Sequence, residues 1–400
     1  MNITKNIIEQ TERFSAPNYA PLPVVLTRGE GVWVWDVEGN KYLDCISAYS
    51  SLNQGHRHPH IIAALQRQSQ RLTLTSRAVH NDQMGTFLAK LCAYCDMDMA
   101  LPMNTGAEAV ETAIKLARMW GYRRKGVAHD HAEIIVCNNN FHGRTTTIVG
   151  FSSEAQYRDD FGPYSAGFKT IEFNDTGQLA AAITADTVAF MVEPIQAEAG
   201  ILMPDDGYLS EARRICRSND CLFILDEIQT GLGRSGKSFA YQHEPDAKPD
   251  MLIIGKALGG GVYPVSAVVA SQELMRLLNP GDHGSTFGGN PLASAVGASS
   301  LDVIKKEKLA QAAARLGALL VSQLAGLESP HVVEIRGRGL LLGIEIATKS
   351  GTARDFSERL LGHGVLCKDT HKQVLRLAPP LTIDKTEIDW LVERVATVLQ

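Results

Sequence analysis

Between about Leu101 and Ala270 the chain alternates helix-length stretches with short apolar runs, and this alternation constrains the fold more than any other feature. The runs are Glu133 to Cys137, Val188 to Glu193, Leu222 to Leu225, Met251 to Ile254 and Val265 to Ala270. Apolar runs this short, bounded by polar and glycine-rich segments, read as buried strands. Strands alternating with helices imply a mainly parallel sheet covered on both faces, hence an α/β fold. Such sheets bind ligands beyond the carboxyl ends of their strands.

Two of the runs lead into residues of complementary chemistry. Leu222-Phe223-Ile224-Leu225 is followed by Asp226, and Leu252-Ile253-Ile254-Gly255 by Lys256. The separation of about thirty residues suits one strand-crossover-strand unit. A lysine with a free amine can form a Schiff base, and a carboxylate that keeps a pyridine nitrogen protonated makes the ring an electron sink. The pair therefore suggests a pyridoxal phosphate site. On spacing alone, Asp226 reads equally well as a cap or turn residue and Lys256 as a solvated lysine before a glycine loop.

Three further segments add chemistry. Asn104-Thr105-Gly106-Ala107-Glu108 opens a helix, with Thr105 and Glu108 at capping-box spacing. The first amides and the dipole of such a helix suit a phosphate. In Asn140-Phe141-His142-Gly143-Arg144, Phe141 is placed to cover an aromatic cofactor and Arg144 to bind a carboxylate. The same two residues also read as a packed loop phenylalanine and an exposed arginine. Cys92-Ala93-Tyr94-Cys95 has redox or zinc spacing, but no second pair follows, and Met84 to Cys95 reads as an amphipathic helix.

Outside the alternating region the organisation changes. Residues 1–45 carry Pro17, Pro21 and Pro23, then Trp33 to Val37 and Lys41 to Asp44 around Glu38-Gly39-Asn40, which predicts an extended arm and a hairpin. A large domain is expected over 46–300. After Asn290-Pro291 one long helical stretch runs to about Leu327, joining it to a smaller α+β unit over 301–400. Strands are expected there at Val332 to Ile335 and Leu340 to Ile346, and a last helix at Lys385 to Leu399.

Composition excludes several functions. With 400 residues and a formal charge of −5, the chain can bury a large core but has no basic stretch to recommend nucleic acid as a partner. No apolar run approaches membrane-spanning length, and Met1 to Gln10 lacks the apolar centre of a signal peptide, so a cytoplasmic protein without a membrane partner is expected. Seven scattered cysteines, an odd number, favour reduced thiols over a disulfide framework.

Taken in order, Thr105-Gly106, Phe141-His142-Gly143-Arg144, Glu193-Pro194, Asp226-Glu227-Ile228-Gln229-Thr230-Gly231, Lys256 and Gly284-Ser285-Thr286-Phe287-Gly288-Gly289-Asn290-Pro291 resemble the class III, or subgroup II, aminotransferases. These use pyridoxal 5'-phosphate, and the resemblance covers nearly the whole chain. It implies the fold-type I architecture: a mainly parallel central sheet with helices on both faces, plus a smaller α+β C-terminal domain. By the same resemblance Lys256 is the Schiff-base lysine, Asp226 the partner of the pyridine nitrogen, Gln229 a partner of the ring oxygen and Phe141 the stacking ring. Gly106 and Ala107 supply phosphate-binding amides. Ser285 and Thr286 reach the phosphate in the neighbouring subunit, which implies a homodimer with shared sites. The alternating His56, His58 and His60 fall in a stretch resembling a non-metal motif, so no metal is expected.

Substrate choice is carried by other residues. Asn18 to Val24 and Ser47 to His56 resemble the branch of the family that uses L-ornithine. There Tyr19 and Arg144 hold the α-carboxylate and Tyr49 shapes the wall, which presents the δ-amine to the cofactor. The acceptor 2-oxoglutarate needs two cations, and the resemblance supplies Arg376 as the second, with Glu198 pairing it when ornithine is bound. The family often has glycine where this chain has Ala197. The expected reaction is a ping-pong transamination giving glutamate 5-semialdehyde and glutamate. The alternatives are a transaminase of N-acetylornithine or 4-aminobutyrate and, from another class, an isomerase like the glutamate-1-semialdehyde mutases.

Overall fold

The computed structural model describes residues 3–400; Met1 and Asn2, the start of the expected arm, lie outside the described residues. Its centre is a seven-stranded sheet in the spatial order Met99–Met103, Ser266–Ala270, Met251–Ile254, Leu222–Asp226, Thr187–Val192, Glu133–Cys137 and Phe168–Ile171. The last five in that order run parallel, and Ser266–Ala270 runs antiparallel to both its neighbours.

Alternate residues along these strands enter two different cores. Ile135, Phe190, Phe223, Leu225 and Leu252 pack into one cluster, while Ile134, Met191, Leu222, Ile224 and Ile253 pack into the other. Because side chains alternate across a strand, this division means that both faces of the sheet are covered. It explains why the strands read as continuous apolar runs. Truncating one such fully buried side chain, Phe223→Ala, would cost about 3–5 kcal/mol.

Two of the strands give little signal in the sequence. Met99–Met103 contains Pro102 and lies at the sheet edge, where a missing donor is tolerated. Phe168–Ile171 is the opposite edge and only its last residue is buried.

Three expectations about the flanking segments are corrected. Residues Ile3–Phe14 form a helix rather than extended chain; none of its side chains is buried, so no apolar pattern announces it. The single long helix expected after Pro291 is two helices, Pro291–Lys306 and Leu309–Ala325, broken where Lys308 takes a left-handed conformation with φ 53°. The hairpin strands Trp33–Asp36 and Lys41–Asp44 form as expected, but Leu26–Glu30 adds a third strand.

The two ends of the chain meet in that small sheet. Val365–Leu366 pairs in parallel with the hairpin, Val365 opposite Leu43 and Leu366 opposite Asp44. Beyond it lies a four-stranded antiparallel sheet of Val332–Arg338, Leu341–Ile346, Val374–Leu377 and Lys368–Thr370, closed by the C-terminal helix Lys385–Leu399. Arg376 sits in its third strand in spatial order, opposite Gly343 on one side and Lys368 on the other.

Candidate active site

Asp226 is the last residue of a central strand, and Lys256 follows the next strand after Gly255, so the topology brings both to the carboxyl edge of the sheet. A cavity of about 210 Å3 opens there, lined by Lys256, Asp226, Gln229, Phe141, Gly106 and Ala107 among others. Six residues spread from Gly106 to Lys256 in the sequence thus line one cavity.

Lys256 is half-buried and has φ 44°, a left-handed conformation that costs a non-glycine residue free energy and clusters at functional sites. Burial lowers its pKa to about 8, against the opposing pull of the Glu198 and Asp226 charges. A substantial fraction of the amine is then neutral, and nucleophilic, near neutral pH.

Asp226 is fixed from two sides. His142 Nδ1 lies 2.7 Å from its Oδ2, and the Ile228 amide donates to its Oδ1 at 3.0 Å. The His142 side chain is fully buried and its Nε2 has no hydrogen-bond partner. The sequence motif contains His142, yet its role in orienting Asp226 was not read from it. Glu193 is a second such residue: its Oε2 accepts the Phe141 amide at 2.9 Å and so holds the backbone beneath the aromatic ring. Burial, reinforced by the nearby Asp226 charge, pushes the Glu193 carboxyl well above its ordinary pKa.

The phosphate cradle is built by the capping box. Thr105 Oγ1 accepts the Glu108 amide at 3.2 Å, and Glu108 Oε2 accepts the Thr105 amide at 2.9 Å. The amides of Gly106 and Ala107, in the first turn of the helix Gly106–Trp120, have no acceptor within the helix. Gly143, at φ 127°, closes the cavity's other side; a Cβ there would stand 3.0 Å from Ala107 Cβ, so the close approach requires glycine.

Above this floor sits a charged layer. Arg376 Nη1 donates to Glu198 Oε1 at 2.6 Å, with the arginine side chain 1% exposed and the glutamate 20%. Burial works against the Glu198 charge, but the Arg376 and Lys256 cations bring its pKa down to about 2. Gln229 joins this pair, its Nε2 donating to Glu198 Oε1 at 3.1 Å, where the sequence expects a partner for the cofactor ring. Arg376 Nη2 is buried without an acceptor, which leaves one donor of the fork open toward a ligand.

The outer residues are more loosely held. Tyr49 lies 5.3 Å from the Arg376 guanidinium, ring centroid to Cζ, and Tyr19 is 73% exposed. Both line an outer cavity of about 630 Å3. Arg144 is exposed and stacks at 3.8 Å on the ring of Tyr157, a residue the sequence does not single out. Ser285 Oγ accepts from Asn104 Nδ2 at 2.8 Å, and neither Ser285 nor Thr286 lines the Lys256 cavity. His56 pairs with Asp44 at 2.8 Å and His58 with Glu307 at 2.9 Å, so both rings have protein partners.

A half-buried, weakly basic lysine, a carboxylate oriented by a histidine, an aromatic side wall and a helix N-terminus with free amides together fit pyridoxal 5'-phosphate. The chain belongs to the class-III aminotransferases, whose sequence profile matches residues 14–399. Like them it is a pyridoxal phosphate-dependent enzyme of fold-type I. Among its relatives is an ornithine aminotransferase of Brevibacillus brevis, 54% identical over 399 residues, covering 100% of this chain and 99% of the relative. A solved ornithine aminotransferase of Toxoplasma gondii, with partial pyridoxal phosphate occupancy at its active site, superposes with a TM-score of 0.97 at 44% identity over 99% of this chain and 94% of that one. An acetylornithine aminotransferase of Elizabethkingia anophelis is also 44% identical, over 100% of this chain and 99% of that one, with a TM-score of 0.90. The family and cofactor chemistry are therefore common to relatives named for different substrates.

Proposed function

We propose that the protein transfers the δ-amine of L-ornithine to 2-oxoglutarate, giving glutamate 5-semialdehyde and glutamate. The observation that carries this reading is the buried Glu198–Arg376 pair at 2.6 Å. An unpaired Arg376 beside Lys256 would attract the carboxylate end of ornithine to the reacting position. With Glu198 on Arg376, Arg144 remains open to the substrate, so the carboxylate is held far from Lys256 and the δ-amine is presented. The ornithine aminotransferases among the relatives, at 52–55% identity over the full chain, support the same donor.

Pyridoxal phosphate, when bound, supplies the electron sink for the carbon that carries the transferred nitrogen. Gly106 and Ala107 would hold its phosphate, Asp226 its pyridine nitrogen, and Phe141 its ring face. The Lys256 amine would move a proton at the ornithine δ-carbon as a general base. For 2-oxoglutarate, Glu198 turns away so that Arg376 takes the carboxylate next to the ketone, and Arg144 takes the distal one. Thr370 Oγ1 bonds the Glu198 carbonyl at 2.5 Å and Ala197 is fully buried, so this release is a rotation of the Glu198 side chain on a fixed backbone.

We read the protein further as a cytoplasmic homodimer in which Ser285 and Thr286 complete the partner's phosphate site. Their position in a loop away from the Lys256 cavity of their own chain, with Thr286 exposed and Ser285 half-buried, supports this. No described helix is long and apolar enough to cross a membrane. The test is to add single amines to the cofactor-loaded enzyme and follow its visible absorbance. L-Ornithine should convert the band; a band left unchanged by L-ornithine but converted by N-acetylornithine or 4-aminobutyrate refutes the donor assignment.

A further inference from the structure

Lys368 opens the edge strand Lys368–Thr370 and lies directly opposite Arg376 in the antiparallel ladder. Residues opposite each other project from the same face of a sheet, so the two cations are neighbours. Both approach the same ring: Lys368 Nζ and Arg376 Cζ each stand 5.3 Å from the centroid of Tyr49.

The two differ in how their charge is answered. Arg376 has Glu198, whereas no described carboxylate lies within salt-bridge distance of Lys368. The adjacent Asp369 is in register with Leu375 and so falls on the other side of the strand. Like charges opposite each other on neighbouring strands are destabilising. With Arg376 already paired to Glu198, Lys368 is the cation of the two whose charge is left for a ligand to answer.

Lys368 is also placed to meet one. It lines the outer cavity with Tyr19 and Tyr49, and equally an adjoining cavity of about 440 Å3 with Phe141, Tyr157 and Glu198. Tyr157 is the ring on which Arg144 lies. The approach to Lys256 therefore has Lys368 in its lining and Arg144 against Tyr157, two cations far apart in the sequence and neither with a carboxylate partner among the described residues.

We propose that Lys368 is a specificity-determining residue whose ammonium, together with Arg144, holds the substrate carboxylate farthest from Lys256. That group is the α-carboxylate of L-ornithine in one half-reaction and the distal carboxylate of 2-oxoglutarate, or of product L-glutamate, in the other. This assignment rests on the transamination reading above. It explains how one site accepts two substrates whose reacting ends differ but whose far ends carry the same anion.

The test uses cofactor-loaded wild type, Lys368→Met and Lys368→Arg, rapidly mixed with L-ornithine or L-glutamate while the visible absorbance is followed. In Lys368→Met the Kd for both amino acids should rise about tenfold, as loss of one charged contact implies, while the limiting rate stays within about twofold. Lys368→Arg should restore most of the affinity. Unchanged Kd values in Lys368→Met overturn the proposal; so does a limiting rate that falls in step with affinity and is not rescued by arginine, which marks a structural role. If wild type responds to L-glutamate and ignores L-ornithine, the donor assignment fails while the glutamate series still decides the role of Lys368. A wild type that responds to neither removes both.

Discussion

The floor of the site and its mouth are built on opposite principles. Around Lys256 the polar groups are largely buried and each has a protein partner: Asp226 has His142, Glu198 has Arg376, and Glu193 has the Phe141 amide. At the mouth Tyr19, Arg144 and Lys368 are partly or largely exposed, and the two cations have no carboxylate partner among the described residues. The floor spends burial on tuning proton affinities, which a reaction on one cofactor requires. The mouth keeps charges open, which two successive substrates require.

The largest effect that could break this contrast is at the floor. Lys256→Ala should lower transamination at least about a thousandfold with the fold retained, as measured by steady-state assay beside circular dichroism. A variant within tenfold of wild type would mean that the amine is not the reacting group.

Glu198→Ala comes next, and its effect should be on stability. It strands a buried guanidinium, so the urea-unfolding free energy should fall by about 3 kcal/mol. The pH dependence has a definite sign. Because the Glu198 pKa is lowered from 4.5 to about 2, its contribution is complete above pH 4.5 and is lost as the pH falls through about 2. Wild type and variant should therefore converge only in strong acid; convergence already at pH 5 would show that the pair is not ionised as described.

A smaller, purely kinetic effect sharpens the picture of Lys256. In cofactor-free protein the rate of combination with added pyridoxal phosphate should rise as the pH passes about 8 and then level off, because the neutral amine is the reactive form. A rate still climbing toward 10.5 would place Lys256 in a solvated environment.

The smallest effect belongs to the mouth. Tyr19→Phe should raise the KM for L-ornithine severalfold with little change in kcat and none in thermal stability, since a 73% exposed side chain contributes little to the core. A matching loss of stability would make Tyr19 a structural residue and blur the distinction between the two regions.

Legibility in the sequence follows the same division. Strands buried on both faces, such as Leu222–Asp226, appear as unbroken apolar runs, and their ends located Asp226 and Lys256. The helix Ile3–Phe14 and the edge strand Met99–Met103 escaped notice because one buries no side chain and the other includes a proline. The break at Lys308 escaped because the Ala, Leu and Lys composition continues across it and no glycine marks the left-handed residue. In the site, Thr105 with Glu108 was readable as a local capping box. The work of His142 and Glu193 was not, since each acts through a contact between residues far apart in the chain. Lys368 is a further case: a lone lysine in sequence, it gains meaning only from its register with Arg376.

The parallel pairing of Val365 with Leu43 bears on how the chain is born. A ribosome delivers the hairpin early and must then add most of the remaining protein before its partner strand emerges, a wait on the order of tens of seconds at ordinary elongation rates. The central sheet is delivered in the interval and can close over its own cofactor floor. The hairpin between Tyr19 and Tyr49 thus waits for Val365 before it is fastened, and a product stalled before that point would carry Asp226 and Lys256 on a formed sheet while lacking both Arg376 and a finished mouth.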